Sequence, residues 1–223
     1  MLERVDRAGG SLRPADLLDA LRERTKELHA QAERSGTVAD ILHGRATRAD
    51  YVLMLRNLLP VYRELEQKLS DRSGSSALGG VVRIELERAT AIVHDLDHLF
   101  ADWPNLAVLP AAQEYVAAIQ AASDGDGTRL IAHAYARYLG DLSGGQILKR
   151  LLERSLGLSP AALSFFDFPT IVDIPAFKAE YRAAISRAGD EVNDLAAVVE
   201  EGARAFELNI TLSMALQAAK ATG

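Results

Sequence analysis

Apolar residues recur at intervals of three and four along nearly the whole chain, and no run alternates with period two for long. That restricts the chain to an all-α fold, because only a period-two pattern gives a strand one dry face. The first helical pattern runs through Leu17, Leu18, Leu21, Thr25, Leu28 and Ala32, with Pro14 suited to the first turn and Ser35-Gly36 as the stop. The second opens at Thr47, where Asp50 three residues on resembles a capping box, and continues through Tyr51, Leu55, Leu58, Tyr62, Leu65 and Leu69. Pro60 lies inside that pattern and predicts a kink. Five more helices are expected over 81–100, 110–122, 128–156, 175–187 and 190–220, with a polar loop over 70–80 and an apolar loop over 165–169. Glycine and proline clusters separate helices and mark no linker between halves. The expected organisation is therefore one compact multi-helix domain over 14–223, preceded by a loose extension over 1–13.

With 223 residues, 48% of them hydrophobic, the chain can fill a sizeable core without covalent staples. The absence of cysteine removes disulfides, thiolate metal sites and thiol nucleophiles, and fits a cytoplasmic location. A net charge of −6 without a long basic run argues against a nucleic-acid partner. The charged N-terminal stretch does not suit a signal peptide, and no apolar run suits a membrane span. The expectation is a soluble, cytoplasmic monomer.

Chemistry concentrates in two segments. Within 133–146, Gly140, Gly144 and Gly145 stand inside a helical pattern, where each costs about 1 kcal/mol relative to alanine. Glycine there lets an axis bend and lets a flat ligand approach the backbone. Gly140 and Gly144 are four apart and share a face; Asp141 and Gly145 share the next one. Close helix–helix packing is the alternative reading of the same spacing. On the first helix His29 sits at the edge of the apolar face, flanked by Arg22, Lys26 and Glu33. A single imidazole with no cysteine available suits one-point axial ligation of a heme better than a multi-ligand cage, and Glu33 one turn on is placed to accept from its other ring nitrogen. The alternative for His29 is a structural or merely exposed residue.

Tyr135-Ala-Arg137-Tyr-Leu-Gly140-Asp141-Leu-Ser143-Gly144-Gly145-Gln146 resembles the distal-helix signature of heme oxygenases, and Thr25-Lys-Glu-Leu-His29-Ala-Gln-Ala-Glu33 resembles their proximal-helix motif. The resemblance runs from about Leu17 to Leu216. It implies an all-helical fold with heme b, substrate and cofactor at once, sandwiched between a proximal and a kinked distal helix. It implies oxidative opening of heme to biliverdin, carbon monoxide and ferrous iron with O2 and external electrons, and no tightly bound flavin or nicotinamide. His29 is then the proximal iron ligand. Gly140 and Gly144 let the distal helix bend over the heme, and Asp141 anchors a water network that supplies protons, supported by Tyr62, Arg137 and Asn209. Lys26, Lys178 and Arg182 match residues that pair with the propionates, and Arg22 stands where the family often has a lysine. Tyr135, Ser143, Gly145 and Phe206 complete the expected heme contacts. The electron donor would be a ferredoxin or flavin reductase, with biliverdin reductase a further partner.

This chain departs from the family pattern at Leu59 and Phe166, where relatives often have tyrosine, and at Ser213, where they often have phenylalanine. These positions concern packing near the pocket rather than the ligand or the aspartate. Two rival readings remain. A heme carrier or sensor would keep His29 and the basic residues but would not need Asp141 with its glycines. A ferritin-like di-iron bundle needs Glu-x-x-His motifs, and none occurs. His94 and His98 have metal spacing but lack a recognisable third ligand, so a solvated helix face is the expected role. His43 is expected in an exposed turn and His133 in a structural position.

Overall fold

The computed structural model describes residues 16–220; the predicted extension over 1–13 and Pro14 lie outside the described residues. Among the described residues there are helices and no strands. The α-helices are α1 (Leu17–Glu33), α2 (Gly36–Leu42), α3 (Arg48–Ser70), α4 (Ala89–Leu99), α5 (Pro110–Ala122), α6 (Leu130–Gly140), α7 (Gln146–Leu156), α8 (Ile174–Ala188) and α9 (Leu195–Lys220). None of them is long and apolar enough to cross a membrane.

Local chemistry explains the starts. Asp16 caps α1 through the backbone N–H of Leu18 at 2.9 Å. The Thr47/Asp50 capping box forms in both directions, at 3.2 and 2.7 Å. Helix α3 continues through Pro60. Helix α4 starts eight residues later than its apolar spacing predicts. The Glu66 carboxylate accepts from the N–H groups of Arg88 and Ala89 and so caps the chain there, leaving 81–88 as turns and a short 3-10 segment. Helix α9 likewise begins at Leu195 rather than near Asp190, with Asp194 accepting from Ala197 N–H at 2.9 Å.

Ser35-Gly36 ends α1 but also begins α2, which the spacing of apolar residues does not reveal. Gly36 has φ +57°, and a Cβ there would lie 2.2 Å from the Ser213 carbonyl, so only glycine permits this turn against α9. Ser213 Oγ donates to Ser35 O at 3.0 Å and accepts from Val38 N–H at 3.1 Å. Ser213 therefore holds the corner between α1 and α2. Lys220 at the end of α9 bridges Asp40 of α2 and Asp50 of α3, at 2.9 and 3.0 Å.

Helix α9 packs on α1, α2, α5 and α6, while α3 packs on α4 and α5. A Cβ at Gly202 would fall 2.5 Å from Leu21 Cδ2, so α1 and α9 cross closely there and any side chain would force Leu21 to move. Buried side chains of α1, α3, α5, α6 and α9 form one continuous core. A small satellite of Ala136, Ala205 and Phe206, with Leu28 and Tyr135 packed on it, joins α1, α6 and α9.

Candidate functional site

A cavity of about 720 Å³ is lined by one face of α1 and by the segment joining α6 to α7. This lies within the range of about 300–1,000 Å³ usual for cofactor and drug-sized ligands. Arg22, Lys26, His29 and Glu33 of α1 all line it, as their three- and four-residue spacing requires.

The long pattern predicted over 128–156 is not one α-helix. Residues Asp141–Gly145 form a single π-helical turn between α6 and α7. The backbone stays helical at both ends, with φ/ψ of −63°/−50° at Gly140 and −55°/−39° at Gly145. The segment is therefore a widened turn rather than a break, the kind of bulge that recurs at functional sites. A Cβ at Gly140 or Gly144 would meet no atom within 4 Å, and both residues line the cavity. Close helix packing does not explain these two glycines. Gly145 differs: its Cβ would stand 3.3 Å from Phe166 Cδ1, so its small size serves packing.

Asp141 lines the cavity from a buried position. Its Oδ2 accepts from the Tyr62 hydroxyl at 2.5 Å. The Tyr62 oxygen in turn accepts from Arg137 Nε at 3.0 Å and Nη2 at 2.6 Å. Arg137 Nη1 donates to Asn209 Oδ1 at 2.5 Å, and Asn209 Nδ2 donates to Ala205 O at 2.9 Å. Tyr62 is fully buried behind Asp141 and does not itself line the cavity. Burial pushes the Asp141 carboxyl above the usual carboxylate value, against the opposing pull of Arg137 and the Tyr62 hydrogen bond. Burial also pushes the Tyr62 phenol well up, so it stays a donor at neutral pH. Asp141 Oδ1 lies 3.8 Å from Arg137 Nη2, beyond hydrogen-bonding reach, and keeps lone pairs for a donor in the cavity.

The His29 side chain is 58% exposed. The Phe206 ring packs on it at 5.8 Å between centroids, and Tyr135 packs on Phe206 at 6.3 Å. Glu33 Oε1 stands 3.6 Å from Nδ1. That corrects the expected hydrogen bond to an electrostatic approach, because on one helix face the two side chains do not close the remaining gap. Since Glu33 approaches Nδ1, Nε2 is the nitrogen left for a ligand. Arg182 of α8 lines the cavity; Lys178, one turn earlier, instead donates to Ser143 Oγ at 3.2 Å and is not part of the lining.

The other histidines take no part. His133 is fully buried on Glu201 at 2.9 Å. His43 binds its own helix through Ala39 O. The rings of His94 and His98 stack at 6.4 Å, while the neighbouring Asp95 is buried. Among the described residues no group of three metal-ligating side chains occurs. Several cavity residues escaped the sequence reading, among them Thr37 and Val38 of α2 and Phe165, whereas Phe166 was expected only to affect packing near the pocket. Phe165 is visible in sequence only as part of an apolar loop, and α2 carries no local signal.

The donor set fits heme: one imidazole, a side-chain-free strip, and three cations for a dianionic edge. The comparisons agree. The heme oxygenase family model matches residues 15–215. Heme oxygenase 1 of Homo sapiens is 36% identical over 209 residues, covering 92% of this chain and 73% of that protein. Heme oxygenase of Guillardia theta is 33% identical, covering 88% and 84%. The structure of heme oxygenase from Leptospira interrogans superposes with a TM-score of 0.83 at 34% identity, over 89% of this chain and 98% of that one. Heme oxygenase-1 from the cyanobacterium Synechocystis, solved in complex with heme, gives a TM-score of 0.85 at 32% identity, over 93% and 96%. The chain belongs to the heme oxygenase family.

Proposed function

We propose that the protein binds heme between α1 and the 140–145 turn and opens it to biliverdin, carbon monoxide and ferrous iron, using O2 and electrons from an external donor. Bound there, heme would supply the iron at which O2 is reduced and the macrocycle that is attacked. His29 Nε2 is the proximal ligand, and Glu33 biases its tautomer through space. Arg22, Lys26 and Arg182 attract the propionates, while Lys178 steadies Ser143. Gly140 and Gly144 let the flat ring lie against backbone.

Asp141 Oδ1 holds water on the distal side and passes protons through it. Tyr62 and Arg137 act through Asp141, fixing its rotamer and charge, and Asn209 orients Arg137. The observation that carries this reading is the bare glycine turn facing the same cavity as His29, with a buried, hydrogen-bonded carboxylate between the glycines. A heme carrier needs the imidazole and the cations but gains nothing from a buried aspartate in that place.

The electron donor is a ferredoxin or a flavin reductase, the protein works in the cytoplasm as a monomer, and biliverdin reductase takes the product. The test is to load the purified protein with hemin, reduce it anaerobically and admit oxygen while recording spectra. Loss of the heme Soret band with growth of bile-pigment absorbance is expected. Retained heme absorbance through repeated reduction would replace the enzyme by a carrier.

A further inference from the structure

The apolar loop 164–168 is held by two buried charges that make no hydrogen bond to Asp141, Tyr62, Arg137 or Asn209, although the Arg88 guanidinium favours the Asp141 carboxylate through space. Asp95 of α4 is fully buried. Its Oδ1 accepts from Ser164 N–H and its Oδ2 from Phe165 N–H, both at 2.8 Å. Arg88, just before α4, is 5% exposed. Its Nη1 donates to the carbonyls of Phe165 and Asp167, and its guanidinium lies 4.1 Å from the centre of the Phe168 ring. Gln146, the first residue of α7, donates to Phe166 O at 2.6 Å. The loop backbone is thus anchored from three directions. A loop that merely covered the core would not need charges taken out of water, which is costly.

The clamp fixes two rings. Phe165 packs edge-on against Tyr62 at 5.6 Å. Phe166 stacks on Tyr51 at 6.1 Å and occupies the space beside Gly145. Both rings also line the cavity. The loop is therefore wedged between the tyrosine that holds Asp141 and the glycine turn that covers the ligand.

We propose that Asp95 and Arg88 are positioning residues for ring opening: by clamping residues 164–167 they fix, through Phe165 and Phe166, the place of the 140–145 turn and so the meso carbon presented to oxygen. This rests on the heme oxygenase reading. Interiors are close-packed, so a shift of the Phe166 ring is passed to the turn beside it rather than absorbed.

Two variants test it. Asp95→Asn keeps the shape but turns an amide donor toward one of the two backbone N–H groups. Phe166→Leu leaves the clamp intact and removes the ring. In the heme-free proteins, amide hydrogen exchange is read by mass spectrometry over 140–145 and 164–167. In the hemin-loaded proteins, biliverdin isomers from a single turnover are separated by chromatography.

In Asp95→Asn, exchange should quicken about tenfold in both segments, the effect of about one lost hydrogen bond. Helicity should be unchanged, and the isomer proportions should move away from those of the parent. Phe166→Leu should move the isomers in the same way with exchange at 164–165 unaltered. Parent isomer proportions in both variants, with unchanged exchange over 140–145, would overturn the proposal. If Asp95→Asn does not fold, unaltered isomers from Phe166→Leu suffice to refute it. Failure of the parent to form any biliverdin would instead sink the enzyme reading, and the exchange measurement would still decide whether the clamp controls the turn.

Discussion

Gly140→Ala separates what the distal glycines do for the fold from what they do for the ligand. Gly140 has ordinary helical angles, φ −63° and ψ −50°, and an added Cβ would meet nothing within 4 Å. Alanine pays neither strain nor clash there, and it loses less backbone entropy on folding. The heme-free variant should therefore be more stable than the parent by about 0.5–1 kcal/mol. For a chain of this size that is roughly 1–4 °C in Tm. The methyl group enters the cavity that Gly140 lines, on the face meant for a flat ring. Hemin affinity or turnover should fall as stability rises, the trade expected where a site is built at the expense of the fold. The assay is urea and thermal unfolding of both heme-free proteins beside hemin titration. A variant that is less stable in the heme-free state yet binds and turns over hemin normally would show that Gly140 serves packing, and the argument from empty space would fail.

His29→Ala should leave heme-free stability within about 0.5 kcal/mol, because a largely exposed side chain is lost, yet abolish bile-pigment formation; unchanged turnover would refute the ligand assignment. Tyr62→Phe removes a hydrogen bond that favours the Asp141 carboxylate, so the carboxyl rises further and the acidic limb of turnover moves to higher pH; a limb that stays or moves down contradicts this. In the heme-free protein the raised Asp141 carboxyl penalises the native state above its folded pKa, and stability is regained as pH falls through that value. Asp141→Asn should thus be more stable than the parent at neutral pH, with the gap closing as pH falls; a less stable variant in unfolding curves would reverse the assignment. Hydrogen bonds from Lys220 and Gln217 hold the Asp40 carboxyl down to about 2, against an ordinary 3.8. Its contribution is complete above about pH 4 and lost as pH falls toward 2, amounting to about 1 kcal/mol after solvent screening. Asp40→Asn should flatten that part of the acid-unfolding curve, and an unaltered curve would refute it.

Helices were legible where local chemistry agrees with periodicity. The Thr47/Asp50 box and the run from Tyr51 to Leu69 place α3 almost to the residue. Disagreement arose where a distant group decides. Val81 and Ile84 have helical spacing, yet Glu66, on another helix, caps the chain at Arg88 and Ala89. Helix α2 has seven residues and begins at a glycine with positive φ, so the signal that ends α1 hides the start of its neighbour. Ser213, which holds that corner, is 178 positions from Ser35. The site residues carried by the family motif lie around one cavity or directly behind it, Lys178 reaching it through Ser143. The Asp95–Arg88 clamp was illegible because an aspartate between two histidines looks like a surface metal motif until its burial is known.

Spacing alone could not decide between close packing and ligand approach for the three distal glycines, because both need a missing side chain on one face. What decides is the surroundings of the absent Cβ, and these differ between adjacent residues. Gly145 meets Phe166, whereas Gly140 and Gly144 meet nothing. The π-helical turn explains how both uses coexist. All three glycines line the cavity, Gly140 and Gly144 with open space beside them and Gly145 against Phe166 of the clamped loop. Asp141 opens that turn with its oxygen on Tyr62. One widened turn therefore sets an open glycine and a packed one side by side on the cavity wall.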